Sequence, residues 1–459
     1  MMMMSEAAKA LGGELIGADT RFTAVSKDTR SIAAGDLYIA IKGDRFDGHA
    51  FIQQAGEAGA AGALVSEVEA GDIPLICVDD TRLALGGLAA YWRERFGGKL
   101  VGITGSNGKT TVKEMTRSIL VKAAGEAHVL STRGNLNNDI GMPMTLLSLR
   151  EQHEYAVIEM GANHPGEIEY LSHIAQPHVA LVNNAGPAHL EGFGSIENVA
   201  RCKAEIYGGL VAGGTAVINA DDTYADYWRG LCENLDGNQQ LLQYSMQHSD
   251  ADIYAEVTGG DDTNEFEITT PVGKGRISLS VPGKHNILNA LAAASIAVAL
   301  GLTIDHIVDG LNAFEGVSGR LAMVQGESGA SIINDTYNAN PRSLYEAMKV
   351  LAAQGGDTWL VLGDMGELGE AAEQLHREAG EQARELGIKQ LLATGDMSRH
   401  AATGFGDASG FYEDREQLIK RLKQSLNKDS TVLVKGSRSM GMEQIVNALI
   451  ADPKGQEVH

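Results

Sequence analysis

Apolar and polar positions along this chain repeat with two periods, which predicts short buried strands separated by amphipathic helices. Between residues 1 and 98, the apolar runs and the helical periods lie at 35–43, 62–67, 73–80, 50–60 and 81–95. The first three of these segments predict strands and the last two predict helices. We therefore expect a small α/β unit over residues 1–98, here called the first unit.

The same alternation continues over residues 99–317, the central unit, where it predicts βαβ units on a mostly parallel sheet. The apolar runs are at 99–105, 155–161, 178–184 and 214–221. The stretch 251–282 alternates polar and apolar residues and predicts an antiparallel appendage. An alanine-rich helix is expected at about 286–300.

Residues 318–459, the third unit, repeat the α/β alternation and predict a Rossmann-like domain. Strands are expected at 331–337, 358–365, 388–396 and 431–437, and helices at about 341–353, 370–386, 413–426 and 440–451. The complete pattern predicts a three-domain α/β protein. The junction Gly316-Val317-Ser318-Gly319 is small enough to act as a hinge between the last two units.

Length and charge narrow the classes of protein. A chain of 459 residues is too long for one core, and a net charge of −23 argues against nucleic acid or an anionic membrane as a partner. The longest apolar run, 290–302, falls short of the roughly 18–20 residues that span a bilayer. Three separated cysteines indicate no disulfide framework, which fits a reducing compartment. We expect a cytoplasmic, monomeric enzyme.

A phosphate-binding loop follows the first strand of the central unit. Residues 102–110 match GxxxxGKT between an apolar strand and a helical stretch, and this is the context that such a loop requires. Lys109 is expected to bridge the β- and γ-phosphates of ATP, and Thr110 to ligate Mg²⁺. The expected nucleotide contacts are Thr104, Gly105, Ser106, Asn107, Gly108, Lys109 and Thr110. The alternative is a chance glycine-rich turn, and the loop alone does not separate a kinase, motor, switch or ligase.

Glu159 ends the apolar strand YAVIEMG. A carboxylate at the carboxyl end of a parallel strand faces the ligand crevice of an open α/β sheet, where it can ligate Mg²⁺. The alternative is a solvated glutamate at the end of a strand.

The form TGSNGKTT resembles the Mur ligase family, the ATP-dependent amide-forming enzymes of peptidoglycan assembly. Further matching segments extend the resemblance over essentially the whole chain: RGNLNNDIGMP, IEMGANHPGEI, NNAGPAHLEGFGS, ARCKAEI, GKHNILNALAA and NDTYNANPRS. The resemblance implies that Glu159 binds the metal and that His189 binds a second Mg²⁺. It also implies that Lys203 acts catalytically and, if carbamylated, helps to position a magnesium ion. From the residues alone, a histidine such as His189 is more often a loop residue than a ligand, and Lys203 is an exposed helix lysine.

The resemblance also implies nucleotide contacts outside the phosphate loop. It places Asn286 at the nucleotide, although Asn286 is also a plausible N-cap residue. It makes Arg320 a phosphate-contacting residue that reaches ATP when the third unit closes, so the unliganded enzyme is expected to be more open. Asp335, Asn338 and Asn340 are implied to lie against the ribose and adenine; the alternative is a turn that caps the next helix.

Three segments resemble the family members that add D-alanyl-D-alanine to UDP-N-acetylmuramoyl-tripeptide: NDTYNANP, GDMGELGE and VKGSRSM. In the first unit, Ser26, Asp28, Thr29 and Arg30 are candidates for binding the uridine diphosphate end, or else form a turn and a surface loop. The implied reaction proceeds through an acyl phosphate. Two rivals stay open: another Mur-type or folylpolyglutamate-type ligase, and a switch protein that hydrolyses ATP without an acceptor amine.

Overall fold

Three sheets organise the part of the chain that the computed structural model describes, which is residues 1–43, 46–68, 72–187, 190–257, 263–407 and 410–450. Each sheet is mostly parallel and is covered by helices. The predicted α/β class is therefore confirmed.

The first unit holds a five-stranded sheet with the order Glu14–Ile16, Leu75–Cys77, Gly62–Val65, Asp36–Ile39 and Ala24–Ser26. The first pair in that order is antiparallel and the others are parallel. Two short ribbons pair Met2–Met3 with Arg21–Phe22 and Lys42–Gly43 with Phe46–Asp47. The helices are Met4–Leu11, Gly48–Phe51 (3₁₀), Ile52–Glu57 and Thr81–Arg93.

The central unit holds a nine-stranded sheet with the order Val129–Ser131, Tyr155–Glu159, Lys99–Thr104, Val179–Val182, Thr215–Asn219, Gln240–Ser245, Ile253–Glu256, Glu265–Thr270 and Gly273–Ser278. The strand Ile253–Glu256 runs parallel to Gln240–Ser245, and only the last two strands are antiparallel additions. The predicted appendage is thus a continuation of the central sheet. The pattern missed Gln240–Ser245 because half of its residues are only partly buried, so it shows no continuous apolar run.

The helices of the central unit are Lys109–Ala124, Glu126–His128 (3₁₀), Gly141–Leu146, Glu167–Ala175, Leu190–Phe193, Ile196–Ala204, Glu205–Gly209 (3₁₀), Ala225–Glu233, Lys284–Ala299 and Ile304–Asn312. The alanine-rich helix is apolar on all sides because it packs between the sheet and the helix Lys109–Ala124. It begins at Lys284, with Gly283 as the N-cap residue. Asn286 therefore lies inside the first turn, and its interpretation as the N-cap is wrong.

The third unit holds a sheet with the order Ala322–Gln325, Ser331–Asp335, Ser430–Lys435, Asp357–Gly363 and Gln390–Thr394, in which only the first pair is antiparallel. Its helices are Pro341–Ala353, Gly369–Ala371 (3₁₀), Ala372–Glu385, Ser398–Phe405, Arg415–Ser425, Arg438–Met440 (3₁₀) and Glu443–Leu449. The helix Ser398–Phe405 was not predicted. At Gly404 a Cβ atom would lie 2.1 Å from the carbonyl oxygen of Arg377, so this helix packs closely against the helix Ala372–Glu385 through a glycine. A contact of this kind leaves no stripe of large apolar residues in the sequence.

The hydrophobic cores divide the molecule unequally. One core combines residues of the first unit, such as Leu37 and Leu88, with Leu100 and Ile158 of the central unit. The third unit has separate cores of its own, and no core cluster among the described residues joins it to the other two units. The third unit is therefore the one that can move without breaking a core. Among the described residues, no helix is both long and apolar enough to cross a membrane.

Candidate active site

A cavity of about 1430 Å³ opens where the three units meet. The first unit contributes Asp80 and Arg82, and the other two units supply most of the lining. The predicted site residues in the lining are Ser106, Asn107, Gly108, Lys109, Glu159, Asn286, Arg320, Asp335, Asn338 and Asn340. The structure thus brings together side chains that are more than two hundred positions apart in the sequence.

The phosphate loop joins the strand Lys99–Thr104 to the helix that begins at Lys109. Gly108 adopts a φ of 79°, and a Cβ atom there would lie 2.5 Å from Oδ1 of Asn289, so only glycine fits. Lys109 Nζ donates to the carbonyl oxygen of Gly105 at 2.6 Å. Burial lowers the pKa of Lys109; the carboxylate of Glu159 opposes this shift, and the positive charge of Arg320 adds to it. An anion that binds here meets a cation with little competing solvent.

Glu159 is held by both carboxylate oxygens. Its side chain is buried, Thr110 Oγ1 donates to Oε2 at 2.8 Å, and Asn137 Nδ2 donates to Oε1 at 2.8 Å. The interpretation of Glu159 as a solvated strand-end residue is therefore wrong. Asn137 was missed by the sequence analysis, although it lies in the quoted segment RGNLNNDIGMP. A Cβ atom at Gly161 would lie 2.9 Å from Asn137 Cγ, so the missing side chain leaves room for this contact.

Thr110 and Glu159 are oxygen ligands of the kind that Mg²⁺ prefers. Among the described residues, no group of three or more His, Cys, Asp or Glu side chains could hold a metal by itself. Mg²⁺ commonly takes one or two protein ligands and completes its shell with water and substrate phosphates. The pair fits that pattern, since the phosphate loop lies directly beside it.

Arg320 connects the third unit to this corner. Its Nη2 donates to Thr110 Oγ1 at 2.9 Å, and its guanidinium lies 4.1 Å from the ring centroid of Tyr337. Its Nε is buried without a hydrogen-bond partner. Arg320 therefore contacts the phosphate loop in this structure, while the expected opening of the unliganded enzyme stays a prediction.

Asn340 makes a second contact between these units. Its Nδ2 donates to Asn107 Oδ1 at 2.7 Å, while its Oδ1 accepts from the backbone N–H of Ser343 at 2.9 Å and caps the helix Pro341–Ala353. The capping alternative is thus correct for Asn340, and the same side chain also holds the phosphate loop. Nearby, Arg342 Nη1 donates to the carbonyl oxygen of Ala185 at 3.1 Å. All of these contacts across the boundary are polar.

Asp335 forms a buried ion pair with Lys435 at 2.5 Å rather than touching the phosphate loop. Lys435 Nζ also donates to the carbonyl oxygen of Asn338 at 2.9 Å. Both Asp335 and Asn338 line the cleft, as does Asn286, whose Nδ2 donates to the carbonyl oxygen of Pro282 at 2.8 Å. Lys435 was missed because its partner lies a hundred positions away, although it stands in the quoted segment VKGSRSM.

Lys203 lies just behind the lining. Its side chain is buried, with Nζ 3.4 Å from the carbonyl oxygen of Ala162 and 5.3 Å from the ring centroid of Phe193. Burial, and secondarily the positive charge of Lys109, lowers the pKa of Lys203 to about 7. The interpretation of an exposed helix lysine is wrong. The signal was present in the sequence, since Lys203 shares a helix face with buried Val199 at spacing i, i+4.

Other predicted residues are not part of this assembly. Asp28 forms an exposed ion pair with Arg30, Thr29 donates to Gln54, and Ser26 bonds within its own turn. None of these four side chains lines the cleft. His189 lies outside the described residues, so its metal role stays a prediction.

The sequence matches three family models: the Mur ligase family catalytic domain over residues 21–93, the Mur ligase middle domain over 103–297, and the Mur ligase glutamate ligase domain over 319–438. The chain belongs to the Mur ligase family. The expected ATP-dependent, amide-forming ligase activity of this family member is thereby confirmed.

Relatives match over nearly the whole chain. A UDP-N-acetylmuramoyl-tripeptide–D-alanyl-D-alanine ligase of Escherichia coli is 43% identical and covers 97% of this chain and 98% of its own length. The ligase of the same name from Bacillus subtilis is 35% identical, with 94% and 93% covered. A crystal structure of MurF from Acinetobacter baumannii is 36% identical, covers 99% of both chains and superposes with a TM-score of 0.88.

We expect Glu159→Ala to raise the Mg²⁺ concentration needed for tight nucleotide binding, because the variant loses a carboxylate ligand beside Thr110. Calorimetric titration of ADP at a series of Mg²⁺ concentrations measures this requirement. Glu154→Ala is the matched control, since Glu154 directly precedes the same strand but is exposed at its other end. An unchanged Mg²⁺ requirement in a folded Glu159→Ala variant would argue against the metal site.

Proposed function

We propose that this enzyme joins D-alanyl-D-alanine to UDP-N-acetylmuramoyl-tripeptide, using ATP and Mg²⁺, in the synthesis of a peptidoglycan precursor. The observation that carries the proposal is the near-complete match to relatives named for this reaction. The cleft supports it, because a phosphate loop, a metal-compatible pair and a third unit converge on one cavity. The reducing environment of the cytoplasm suits a chain whose three cysteines are all described and all free.

The reaction begins when the terminal carboxylate of the tripeptide attacks the γ-phosphorus of ATP. This step yields ADP and an acyl phosphate. The amine of D-alanyl-D-alanine then attacks the acyl carbon, the new amide bond forms, and inorganic phosphate leaves. Because both nucleotide substrates are polyanions and the chain carries a net charge of −23, local cations must hold them.

The chain supplies that positive charge at Lys109 and Arg320, on two different units. Thr110 and Glu159 would hold Mg²⁺, which when bound neutralises charge on the phosphate oxygens. The N–H groups in the first turn of the helix that starts at Lys109 have no helical partners and are suited to phosphate oxygens. Closure of the third unit excludes water, and so protects the acyl phosphate from hydrolysis.

The remaining site assignments belong to this proposal. His189 would contact a second Mg²⁺, while Asn286, Asp335 and Asn338 would contact the nucleoside from the cleft wall. The four residues Ser26, Asp28, Thr29 and Arg30 would bind the uridine diphosphate end from the first unit. The proposal also includes three domains, at residues 1–98, 99–317 and 318–459. The enzyme would act as a monomer.

The proposed function is tested by measuring the release of inorganic phosphate from ATP with a panel of amines and nucleotide peptides. We expect turnover only when UDP-N-acetylmuramoyl-tripeptide and D-alanyl-D-alanine are both present. Lys109→Ala should lower the rate by roughly 10²–10⁵-fold, because a charge that stabilises the transferring phosphoryl group is lost. Lys122→Ala, in the last turn of the same helix, should behave as wild type.

The outcomes separate the rival functions. Turnover with glutamate instead of the dipeptide would indicate a folylpolyglutamate-type ligase. Phosphate release without any amine would indicate an ATP switch. Near-normal turnover by folded Lys109→Ala would refute the ATP site.

The buried position of Lys203 favours a carbamate, because CO₂ adds only to a neutral amine. With a pKa of about 7, the neutral form of Lys203 predominates above that pH. We therefore expect a ¹³C carbamate signal from labelled bicarbonate that grows as the pH rises from about 6 to about 8. Lys203→Met should abolish the signal. Lys113→Met, which replaces another buried lysine, on the helix Lys109–Ala124, should keep the signal. A signal that survives in Lys203→Met would contradict the assignment.

The polar boundary around Arg320 and Asn340 favours a third unit that opens and closes. Gly316 and Gly319 flank the junction with φ values of 92° and 72°, which other residues adopt poorly. We expect the radius of gyration in small-angle scattering to fall when an ATP analogue and the nucleotide peptide are both added at saturation. A ligand-free sample at matched ionic strength is the control. An unchanged radius would contradict the hinge.

A further inference from the structure

The wall that the third unit presents to the cleft carries an arginine, Arg438, whose guanidinium makes no hydrogen bond to the described residues. It lies with Ser437 and Ser439 in the lining, on the segment that follows the strand Ser430–Lys435. More than half of the Arg438 side chain, 58%, is exposed. The backbone of this segment is fixed, because the N–H of Ser437 donates to the carbonyl oxygen of Asp364 at 2.8 Å.

Among the described residues, four other cations of the third unit face the cleft, and each has a protein partner: Arg320 has Thr110, Arg342 has the carbonyl of Ala185, Lys349 has Glu346, and Lys435 has Asp335. Arg438 differs from them. Its carboxylate neighbour Glu443 lies 3.6 Å from Nη1, which is outside hydrogen-bonding distance. Glu443 is therefore a loose ion-pair partner, and the N–H donors of Arg438 make no hydrogen bond to the described residues that a ligand would have to displace.

A planar guanidinium with free donors is suited to bind a carboxylate with two parallel hydrogen bonds. Of the groups in the proposed reaction, the incoming dipeptide carries such a carboxylate at the end opposite to its reacting amine. We propose that Arg438 binds the C-terminal carboxylate of the incoming dipeptide and so selects it. This inference rests on the proposed function and adds the residue that recognises the acceptor.

The position of Arg438 agrees with the reach of a dipeptide. The Arg438 guanidinium lies 5.7 Å from the ring centroid of Tyr337, and the Arg320 guanidinium lies 4.1 Å from the same centroid. Arg320 in turn contacts Thr110 beside the phosphate loop. An extended dipeptide spans about 7 Å, so one held at Arg438 can place its amine next to the phosphoryl-transfer corner.

Steady-state kinetics of the full-length enzyme test the inference with two acceptors, D-alanyl-D-alanine and its C-terminal amide. We expect Arg438→Ala to raise the KM for the dipeptide by about tenfold to a hundredfold, because charge-assisted hydrogen bonds are lost. The KM values for ATP and the nucleotide peptide should stay near those of wild type. Wild type should discriminate against the amide, and Arg438→Ala should lose most of that discrimination. Arg438→Lys keeps the positive charge but cannot make two parallel hydrogen bonds to a carboxylate, so its KM for the dipeptide should lie between those of wild type and Arg438→Ala.

Arg399→Ala is the matched control. Arg399 is also a half-exposed arginine of the third unit, lies 4.9 Å from the ring centroid of Phe411 and pairs loosely with Asp396 at 3.9 Å, but it does not line the cleft. It should leave all KM values unchanged.

An unchanged dipeptide KM in Arg438→Ala would overturn the inference, as would a rise in the KM for the nucleotide peptide instead. If Arg438→Ala does not fold, the comparison of the two acceptors with the wild-type enzyme still tests the inference. Equal KM values for the dipeptide and its amide would overturn it. Failure of the wild type to use the dipeptide at all would refute the proposed function itself.

Discussion

The closed cleft depends on one buried carboxylate, Glu159, set among positive charges. Lys109 and Arg320 approach the same corner from two units. Burial lowers the pKa of Lys109 and the charge of Arg320 lowers it further, while the carboxylate of Glu159 opposes both. Thr110 lies between Arg320 and Glu159 and donates to the carboxylate while it accepts from the guanidinium. An anionic triphosphate in this corner would relieve the repulsion between the cations. In the proposed opening and closing of the third unit, charge would therefore couple nucleotide binding to the position of that unit.

The central unit contacts the first unit through an apolar core and the third unit through polar side chains, and this difference suits a ligase. The first unit shares an apolar core with the central unit, and the buried guanidinium of Arg93 ties them further by donating to the carbonyl oxygens of Ala175 and Gln176. The third unit instead meets the central one through polar side chains such as Arg320 and Asn340. Water can replace polar contacts at little cost, whereas an exposed core cannot be solvated cheaply. A reactive intermediate needs a site that closes, and a product needs one that opens again.

The parts of the fold and site that were predictable from the sequence are those with local signals. Continuous apolar runs predicted the buried parallel strands, and the glycine spacing with Lys109 predicted the phosphate loop. Burial of Lys203 was missed because a charged residue on a helix is ordinarily exposed. Asn137 and Lys435 were missed because a hydrogen bond between distant segments leaves no periodic trace in either segment. The family resemblance supplied roles for residues but not these contacts.

A neutral framework of asparagine amides holds the phosphate loop. Asn183 and Asn184 both donate to the carbonyl oxygen of Asn107, at 3.0 and 3.1 Å, and Asn184 also accepts from the N–H of Asn107. Asn183 is fixed in turn by Asn289 and Tyr244. Further cations in this framework would add to the repulsion at Lys109, and carboxylates would repel the triphosphate. Amides satisfy the loop without either penalty. They leave the N–H groups in the first turn of the following helix, which no helix can satisfy internally, to the phosphate oxygens.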